Sequence, residues 1–287
     1  FNLSKKYNNG KQKTFTLKTE HGYEITATKE HRFMVMTEHG IPDWKKLNEI
    51  KERDWLLLST NGWMGNKVEL PSFNYVQKQG GNATSFKSKI YNLPKKLTPE
   101  LSMFIGLFMG DGSNHRDGIR FTVYKEEREI IDILNNTVKN LFGKDSLVIS
   151  YEENKNCFEV SLLSVQIKEW FEFIGVKKEN ARHAIVPKII METNEINVVA
   201  FLRGLFSADG YARNGYVGLS TSSREMARQI QIVLLHLGIP ARKYYNKSTD
   251  SYQVNICNKK GFINFKQKIG FLVKRKQEVL DRINENE

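Results

Sequence analysis

The sequence contains two copies of one pattern, and this repetition constrains the possible fold more than any other feature. GLFMGDGS (106–113) and GLFSADGY (204–211) are both apolar runs that end in aspartate and glycine, and the two aspartates lie 98 positions apart. At the same offset IRFTV (119–123) aligns with VGLST (217–221), and each places apolar residues at alternate positions, as half-buried strands do. Later segments align at offsets of 94 or 95. We therefore expect two similar halves that differ in loop length.

Each copy is predicted to contain helices and strands in the same order, which together make an α+β fold. TPELSMFIGLFMG should start a helix, because Thr98 is a good N-cap and Pro99 suits the first helical position. A second helix follows in each copy, with apolar residues spaced along one helical face. The strand pairs predicted after these helices are 145–152 with 156–163, and 240–247 with 251–257.

Small residues line one face of the first helix in each copy. Gly106 and Gly110 are four positions apart, as are Gly204 and Ala208. Residues with this spacing lie on the same side of a helix, and their small size lets a second backbone approach closely. The two helices are therefore predicted to pack on each other with their C-terminal ends side by side.

This packing would bring Asp111 and Asp209 together beside the free carbonyl groups of both helix ends. Without a cation the arrangement is unfavourable, because the helix dipole costs each carboxylate about 0.3 to 1 kcal/mol and the two charges repel. A divalent ion reverses this balance, since carboxylate and carbonyl oxygens suit Mg²⁺ or Mn²⁺. We therefore predict a metal site for phosphodiester chemistry, with these ligands: Asp111, Asp209 and the carbonyl oxygens of Gly110 and Ala208. The alternative is that each Asp-Gly pair is only a turn after a helix.

The composition indicates a folded, basic protein. It has 287 residues, a formal net charge of +12 and a pI near 9.5, which favours nucleic acid or an anionic membrane as partner. No apolar run approaches the roughly 18 residues that span a bilayer, and the first residues lack the apolar region of a signal peptide. We therefore expect an intracellular protein without membrane association. Cys157 and Cys257 are too few for a disulfide framework and are expected to be core thiols.

The paired motifs FIGLFMGDG (104–112) and LRGLFSADG (202–210) resemble the signature of LAGLIDADG homing endonucleases, and the similarity of pattern extends over residues 94–287. The resemblance implies two pseudo-symmetric αββαββα repeats, 94–190 and 191–287, joined across the signature helices in one monomeric chain. Their sheets would form a saddle on double-stranded DNA. It also implies site-specific, metal-dependent cutting of both strands that leaves short 3′ overhangs.

The resemblance further implies that Asp111 and Asp209 are catalytic and that a basic residue lies beside the metals, near the end of a repeat's fourth strand. NICNKKGF offers Lys259 in the second copy, whereas the equivalent position in the first copy is Val165. Either one central lysine is enough, or the two DNA strands are cut at unequal rates. The alternative for Lys259 is an exposed lysine in the first turn of a helix.

Strand periodicity predicts which sheet face meets DNA. If Ile119, Phe121 and Val123 face the helices, the alternate residues face outward, and the other strands follow the same rule. Polar side chains on such a face suit base edges, and basic residues at strand ends suit phosphates. Taken singly, each is also consistent with an ordinary surface residue. The predicted DNA-binding residues are Arg116, Arg120, Thr122, Tyr124, Lys125, Ser150, Lys155, Ser161, Arg213, Tyr216, Ser220, Arg242, Lys243, Tyr244, Lys247, Gln253 and Asn255.

Residues 1–60 differ from the repeats and show short alternating strands separated by EHG turns. They resemble part of an intein (Hint) splicing domain, because GYEITATKEHRFMV carries Thr28 and His31 in the T-x-x-H arrangement that polarises a scissile peptide bond in inteins. The chain is not expected to splice, since it has neither a nucleophilic first residue nor a terminal His-Asn pair. We interpret it as a portion of a larger intein or as an enzyme with a relic splicing segment. Residues 61–93, rich in Gly, Asn, Ser and Lys, are predicted to be a linker that can lie along the duplex.

Two functions remain open from the sequence. The first is a site-specific double-strand DNA endonuclease. The second is a non-cleaving DNA- or RNA-binding protein of the same fold, such as a maturase-like splicing helper or a regulator. Two repelling carboxylates at helix ends favour the endonuclease, because binding alone does not require them.

Overall fold

The structure, a computed structural model, describes residues 8, 10–60, 62–76, 89–178, 180–213, 215–256 and 258–283. The chain divides into two compact units, residues 1–60 and residues 61–287. None of the helices in the described part of the chain is long and apolar enough to cross a membrane. Cys157 is buried, as expected of a core thiol, whereas Cys257 lies outside the described residues.

The unit of residues 1–60 is β-rich, as its alternating pattern predicts. Strands β1 (Thr14–Lys18) and β2 (Glu24–Thr28) pair as an antiparallel hairpin. Strands β3 (Arg32–Met36), β4 (Pro42–Lys46) and β5 (Trp55–Leu56) form a second sheet in the order β4-β3-β5. Among its described residues, 8 and 10–60, the buried apolar side chains are Tyr23, Ala27 and Val35.

The first repeat has the predicted order of helix, two strands, helix, two strands and helix. Its sheet is antiparallel in the order β6-β7-β9-β8 of the strands given next. The elements are α1 (Pro99–Asp111), β6 (Gly112–His115), β7 (Gly118–Tyr124), α2 (Glu129–Phe142), β8 (Val148–Glu152), β9 (Cys157–Leu163) and α3 (Val165–Phe173).

The second repeat follows a short helix, α4 (Lys188–Met191), and repeats the same order of elements and strands. Its sheet has the order β10-β11-β13-β12, which matches that of the first repeat. The elements are α5 (Glu195–Asp209), β10 (Gly210–Arg213), β11 (Tyr216–Thr221), α6 (Arg224–His236), β12 (Arg242–Asn246), β13 (Ser251–Ile256) and α7 (Lys259–Lys268). A further helix, α8 (Lys274–Ile283), was not expected, because its sequence KRKQEVLDRI is dominated by charge.

Alternate strand residues and the helices share one apolar core in residues 61–287. Ile119, Phe121 and Val123 of β7 are buried on its helix side, and Val217 and Leu219 of β11 are buried in the same way. The predicted parity of these strands is therefore confirmed. The remaining face of each sheet carries the polar residues.

The described part of the predicted linker, residues 62–76 and 89–93, belongs to the unit of residues 61–287 and is bonded to it. The Trp63 indole Nε1 donates a hydrogen bond to the Thr193 carbonyl oxygen at 2.5 Å, and Leu70 N donates to Lys95 O at 2.9 Å. Leu70 is buried, and Phe73 packs against the core. A few well-placed apolar residues thus anchor a segment that lacks periodicity. The rest of the predicted linker, residues 77–88, lies outside the described residues.

Candidate active site

Asp111 and Asp209 are the last residues of α1 and α5, and a glycine follows each of them. Both glycines turn to extended backbone, with φ of −81° at Gly112 and −83° at Gly210. A Cβ atom at either glycine would lie 2.3 Å from a carbonyl oxygen one turn back in the helix. Glycine is therefore required for the chain to leave each helix directly after the aspartate.

The two helix ends meet at small residues. A Cβ placed on Gly110 would lie 2.3 Å from the Cβ of Ala208 and 3.4 Å from the backbone nitrogen of Asp209. Such a contact allows no larger side chain on either helix. The predicted packing of the two signature helices is confirmed, and it brings the two carboxylates to one place.

Burial and mutual repulsion disfavour the charged forms of both carboxylates. Desolvation, followed by the like charge of Asp209, raises the pKa of Asp111 to about 7. Desolvation also raises the pKa of Asp209. The positive charges of Lys178 and Lys276 oppose both shifts. Without a further cation, ionisation of both aspartates at this site is therefore unfavourable in free energy.

Two lysines that the sequence analysis missed complete this site. The Nζ of Lys178 donates a hydrogen bond to the Gly110 carbonyl oxygen. The Nζ of Lys276 donates to the Ser207 carbonyl oxygen at 2.6 Å and to the Ala208 carbonyl oxygen at 3.0 Å. Lys178 and Lys276 lie 98 positions apart, the same separation as the two aspartates. The two lysines therefore make corresponding contacts in the two repeats, although the neighbouring segments 173–176 and 268–271 align at an offset of 95, which pairs Lys178 with Val273.

Burial lowers the pKa of both lysines, and the carboxylates oppose the change. For Lys178 the opposing charges are those of Asp209 and Asp111. For Lys276 they are those of Glu127 and Asp111. Each carboxylate is thereby influenced by lysines of both repeats, and the site is one shared cluster of charges.

The predicted role of Lys259 beside the metals stays a prediction. Lys259 begins helix α7, where the sequence had also allowed it to be an ordinary first-turn residue. The positive charges that lower the pKa of the two aspartates are those of Lys178 and Lys276.

The carboxylates fit a divalent ion, and the predicted carbonyl ligands are already in use. Two close aspartates with a raised pKa form a hard-oxygen site that a cation would stabilise. The carbonyl oxygens of Gly110 and Ala208, however, accept hydrogen bonds from the two lysines. Within the described residues, no group of three or more His, Cys, Asp or Glu side chains could hold a metal. An ion at this site would therefore need further oxygen ligands, such as those of phosphate or water.

An open cavity of about 600 Å³ adjoins the carboxylates and has walls from both repeats. Asp111, Thr122 and Lys155 line it from the first repeat, and Arg213 and Lys276 line it from the second. The whole lining includes four basic side chains, Arg275 being the fourth, and two acidic ones, Asp111 and Glu127. The cavity therefore offers positive charge to an anionic ligand that reaches Asp111.

On the first sheet, the predicted DNA-facing residues share a face, but one of them is paired with an acid. Arg120 lies opposite Ser161 in the register, and its Nη1 donates to Glu159 Oε1 at 2.9 Å on the same face. Thr122, Tyr124 and Ser150 are exposed. Arg116, Lys125 and Lys155 are exposed in the connections between strands or after them, as predicted. Glu159 was not among the residues predicted on this face.

On the second sheet, the predicted residues form a connected polar network. The Tyr211 hydroxyl oxygen lies within hydrogen-bond distance of Gln253 Oε1 at 2.9 Å and of Asn255 Oδ1 at 2.6 Å, and donates its one hydrogen to one of them at a time. Gln253 Nε2 donates to Ser220 Oγ at 2.8 Å, and Asn255 Nδ2 donates to Tyr244 Oη at 3.2 Å. These side chains line an open cavity of about 770 Å³ together with Arg213, Tyr216 and Arg242.

Two basic residues of β12 and its turn have opposite placements. Lys243 is only 6% exposed and lies opposite Val254, also buried, so the expectation that it contacts a phosphate is wrong. Its neighbours Arg242 and Tyr244 point to the other face, because side chains alternate along a strand. Lys247 is exposed beyond the strand end, as predicted.

Thr28 and His31 lie close together at the end of β2. The His31 backbone N–H donates to the Thr28 carbonyl oxygen at 3.1 Å, and the His31 side chain is exposed. The His31 ring contacts Phe33 edge-on at 5.0 Å between centroids. The tight turn therefore places both residues of the T-x-x-H pattern at one edge of the small unit.

Part of the second repeat matches a known protein family, and related proteins align with most of the chain. Residues 197–270 match the family described as LAGLIDADG-like domain. The replication factor C small subunit of Methanocaldococcus jannaschii is 26% identical over 284 residues, covering 96% of this chain and 14% of that protein. Glutamine–fructose-6-phosphate aminotransferase (isomerizing) of the same organism is 32% identical over 200 residues, covering 66% of this chain and 18% of that protein. The ATP-dependent DNA helicase Hel308 of Thermococcus kodakarensis is 25% identical over 272 residues, covering 84% and 24%. The chain therefore spans less than a quarter of the length of each of these three relatives.

Two solved structures are similar in part. The homing endonuclease I-DmoI in complex with DNA and Mn is 17% identical with a TM-score of 0.47, covering 60% of this chain and 96% of that chain. Full-length DUF199/WhiA from Thermatoga maritima is 20% identical with a TM-score of 0.46, covering 64% and 59%. The match of residues 197–270 and the repeated order of elements agree with each other. The chain has an α+β fold that contains a LAGLIDADG-like domain.

Proposed function

We propose that this chain is a site-specific, double-strand DNA endonuclease of the homing type, acting as a monomer. The observation that carries the proposal is the cluster of Asp111, Asp209, Lys178 and Lys276 where the two signature helices end. Two buried carboxylates that repel each other have no structural use there that an uncharged residue would not serve better. The net charge of +12 and the two polar sheet faces suit a long nucleic-acid ligand.

In this proposal Asp111 and Asp209 hold Mg²⁺ or Mn²⁺, which when bound supplies charge stabilisation and activation of water for phosphodiester hydrolysis. Lys178 and Lys276 place two ammonium groups beside the carboxylates, where they stabilise the negative charge of a scissile phosphate. The outward residues of both sheets bind the duplex on either side. The cavity at Asp111, with walls from both repeats, receives the DNA backbone.

We also propose that the chain is of the intein-encoded type, with Thr28 and His31 as residues of its splicing-type unit. Support comes from the relatives, whose names describe unrelated activities in replication, sugar-phosphate metabolism and DNA unwinding. Up to 96% of this chain aligns with only 14% to 24% of each of them. A segment shared by such different proteins is more simply explained as an inserted element than as part of their named activities.

The second candidate is a DNA- or RNA-binding protein of this fold that does not cut. One observation favours it: the carbonyl oxygens of Gly110 and Ala208 are satisfied by lysines, so the site has internal partners without an ion. The two candidates differ in what the aspartates are for. A binding protein would bind its target equally well when Asp111 and Asp209 are replaced, and would leave that target intact.

The test is selection of cleaved sites from a randomised DNA library with Mg²⁺, followed by assays on the selected target. We expect wild type to cut, and expect Asp111→Asn and Asp209→Asn to lose cutting by at least about 100-fold because charge stabilisation is lost. Both variants should keep their affinity in Ca²⁺. If no site is cut, but selection of bound sites from the same library in Ca²⁺ yields a tightly bound target that wild type leaves intact in Mg²⁺, the second candidate is supported instead.

A further inference from the structure

Glu127 is a buried acid at the junction of the two repeats. It ends the 3-10 turn Lys125–Glu127, between β7 and α2 of the first repeat, and is only 7% exposed. Its Oε1 lies 2.6 Å from Arg275 Nη2 and 3.4 Å from Lys276 Nζ, both on α8. A buried acid is stable only with such partners, so Glu127 and the start of α8 fix each other.

The start of α8 is held by more than one acid of the first repeat. The Lys274 backbone N–H donates to Glu129 Oε1 at 3.0 Å, and Arg275 Nε lies 4.0 Å from Glu126 Oε2. Lys276 itself is 7% exposed and donates to the Ser207 and Ala208 carbonyl oxygens. Its ammonium group is thus positioned from two sides, by the helix end of its own repeat and by Glu127 of the other.

Lys178 lacks an equivalent support among the described residues. The residue 98 positions after Glu127 is Glu225, which binds the guanidinium of Arg228 at 2.6 and 2.9 Å. The carboxylates that act on Lys178 are Asp209 and Asp111. The two lysines are therefore held differently, although each bonds to the end of the signature helix of its own repeat.

We propose that Glu127 is a positioning residue for Lys276 alone. The half of the site that contains Lys276 then depends on Glu127, whereas the half that contains Lys178 does not. This inference rests on the proposed endonuclease function. If Lys276 serves one scissile phosphate and Lys178 the other, loss of Glu127 displaces only one ammonium group. Cutting of one DNA strand then slows while cutting of the other continues.

The first experiment measures single-turnover cutting of each strand separately, with both 5′ ends labelled on the selected target. Lys276→Met and Lys178→Met first show which strand depends on which lysine. Glu127→Gln should then slow the strand that Lys276→Met slows by about 10-fold to 100-fold, because small displacements of a catalytic group have effects of this size. The other strand should change by less than about twofold, and the matched control Glu225→Gln should leave the ratio of the two rates unchanged.

Equal slowing of both strands by Glu127→Gln, or no slowing, would overturn the proposal. A merely structural role would lower both rates together, so the ratio is decisive. Glu127→Asp keeps the charge on a shorter side chain and replaces Glu127→Gln in this experiment if Glu127→Gln does not fold. It should slow the same strand to a smaller extent, and an equal effect on both strands would again contradict the inference.

The second experiment does not need DNA cutting. The protein is acetylated with limiting acetic anhydride, and the rates at individual lysines are read by mass spectrometry. Glu127→Gln should raise the rate at Lys276 several-fold relative to wild type and leave the rate at Lys178 unchanged, with Glu225→Gln as control. An unchanged rate at Lys276 would overturn the positioning role. If wild type cuts no DNA but Lys276 responds, the proposed function fails while the contact between the repeats is supported.

Discussion

Gly106 approaches Phe201 so closely that a Cβ atom on Gly106 would lie 2.1 Å from the Phe201 carbonyl oxygen. The pseudo-symmetric contact is almost the same, because a Cβ on Gly204 would lie 2.2 Å from the Met103 carbonyl oxygen. These are contacts of backbone with backbone, which no side-chain rearrangement relieves. The distance between α1 and α5, and with it the meeting of Asp111 and Asp209, therefore depends on two glycines.

The first prediction concerns these glycines. Gly106→Ala and Gly204→Ala should each lower the free energy of unfolding by about 3 kcal/mol or more. Overpacking of a tight contact typically costs about 1 to 3 kcal/mol, and here the two helix backbones must also separate. Cutting should fall further than stability alone explains, because the carboxylates move apart. Urea unfolding at 25 °C and the cutting rate of the folded fraction measure the two effects.

Gly62→Ala is the matched control for these substitutions. A Cβ on Gly62 would meet nothing within 4 Å, and its backbone is not in the left-handed region. Its free energy of unfolding should stay within about 0.5 kcal/mol of wild type, as for ordinary surface changes. Gly106→Ala and Gly204→Ala variants as stable as Gly62→Ala would show that the helix contact is looser than described.

The sequence was sufficient to predict the helix pair and the aspartates, because both depend on local spacing that occurs twice. The lysines were missed for a different reason. Lys178 and Lys276 follow the last predicted helix of their repeats, and only the folding of those segments back to Gly110 and Ala208 brings them to the site. Their separation of 98 positions differs from the offset of 95 at which the neighbouring segments align, so the repeat pattern did not point to them.

The sheet faces show the same limit. Parity along β7 follows from alternation, and the structure confirms it. Lys243 was predicted to contact phosphates because it is near a strand end. The same parity rule, however, places its side chain on the other face of the sheet from those of Arg242 and Tyr244. The pairing of Arg120 with Glu159 depends on register between strands 39 positions apart, which no local pattern specifies.

A second prediction follows from the raised pKa of Asp111. Its folded-state pKa of about 7 lies above the ordinary 3.8, so the folded protein binds more protons than the unfolded chain between these pH values. This group therefore costs stability increasingly as pH rises from about 4 to about 7. Asp111→Asn does not titrate, and its stability relative to wild type should grow across this window by roughly 1 to 3 kcal/mol in ion-free buffer.

Urea unfolding in EDTA at several pH values measures this difference. Asp117→Asn is the control, since Asp117 is exposed in the turn between β6 and β7. The free energy of unfolding of Asp117→Asn relative to wild type should not grow with pH as that of Asp111→Asn does. A difference between Asp111→Asn and wild type that is constant from pH 4 to pH 7 would show that Asp111 is not a strained, buried carboxylate.

A third prediction concerns base recognition by the second repeat. Gln253 is held by Tyr211 and Ser220 in a preorganised network, whereas Ser150 of the first sheet is exposed. Gln253→Ala should relax base preference in the half of the target that the second repeat contacts, at about 1 to 3 kcal/mol for each base read. Ser150→Ala should have a smaller effect on the other half. Binding selections in Ca²⁺ with each variant measure both preferences, and a Gln253→Ala variant with unchanged preference would remove the network from base reading.

The last prediction separates exposed basic residues from the buried one by salt dependence. Lys125, Lys155, Arg213 and Lys247 are exposed at the ends of strands, while Lys243 is buried beneath the second sheet. Each phosphate contact contributes about 0.9 to the slope of log K against log salt, so replacing all four exposed residues by Gln should make the slope shallower by about 3 to 4. Lys243→Met should leave the slope unchanged in the folded protein, even if it alters stability.

Titrations of the target in Ca²⁺ between about 50 and 200 mM salt, the range over which such contacts weaken strongly, give these slopes. A slope that responds to Lys243→Met but not to the four exposed residues would mean that the duplex does not lie on the outward faces of the sheets.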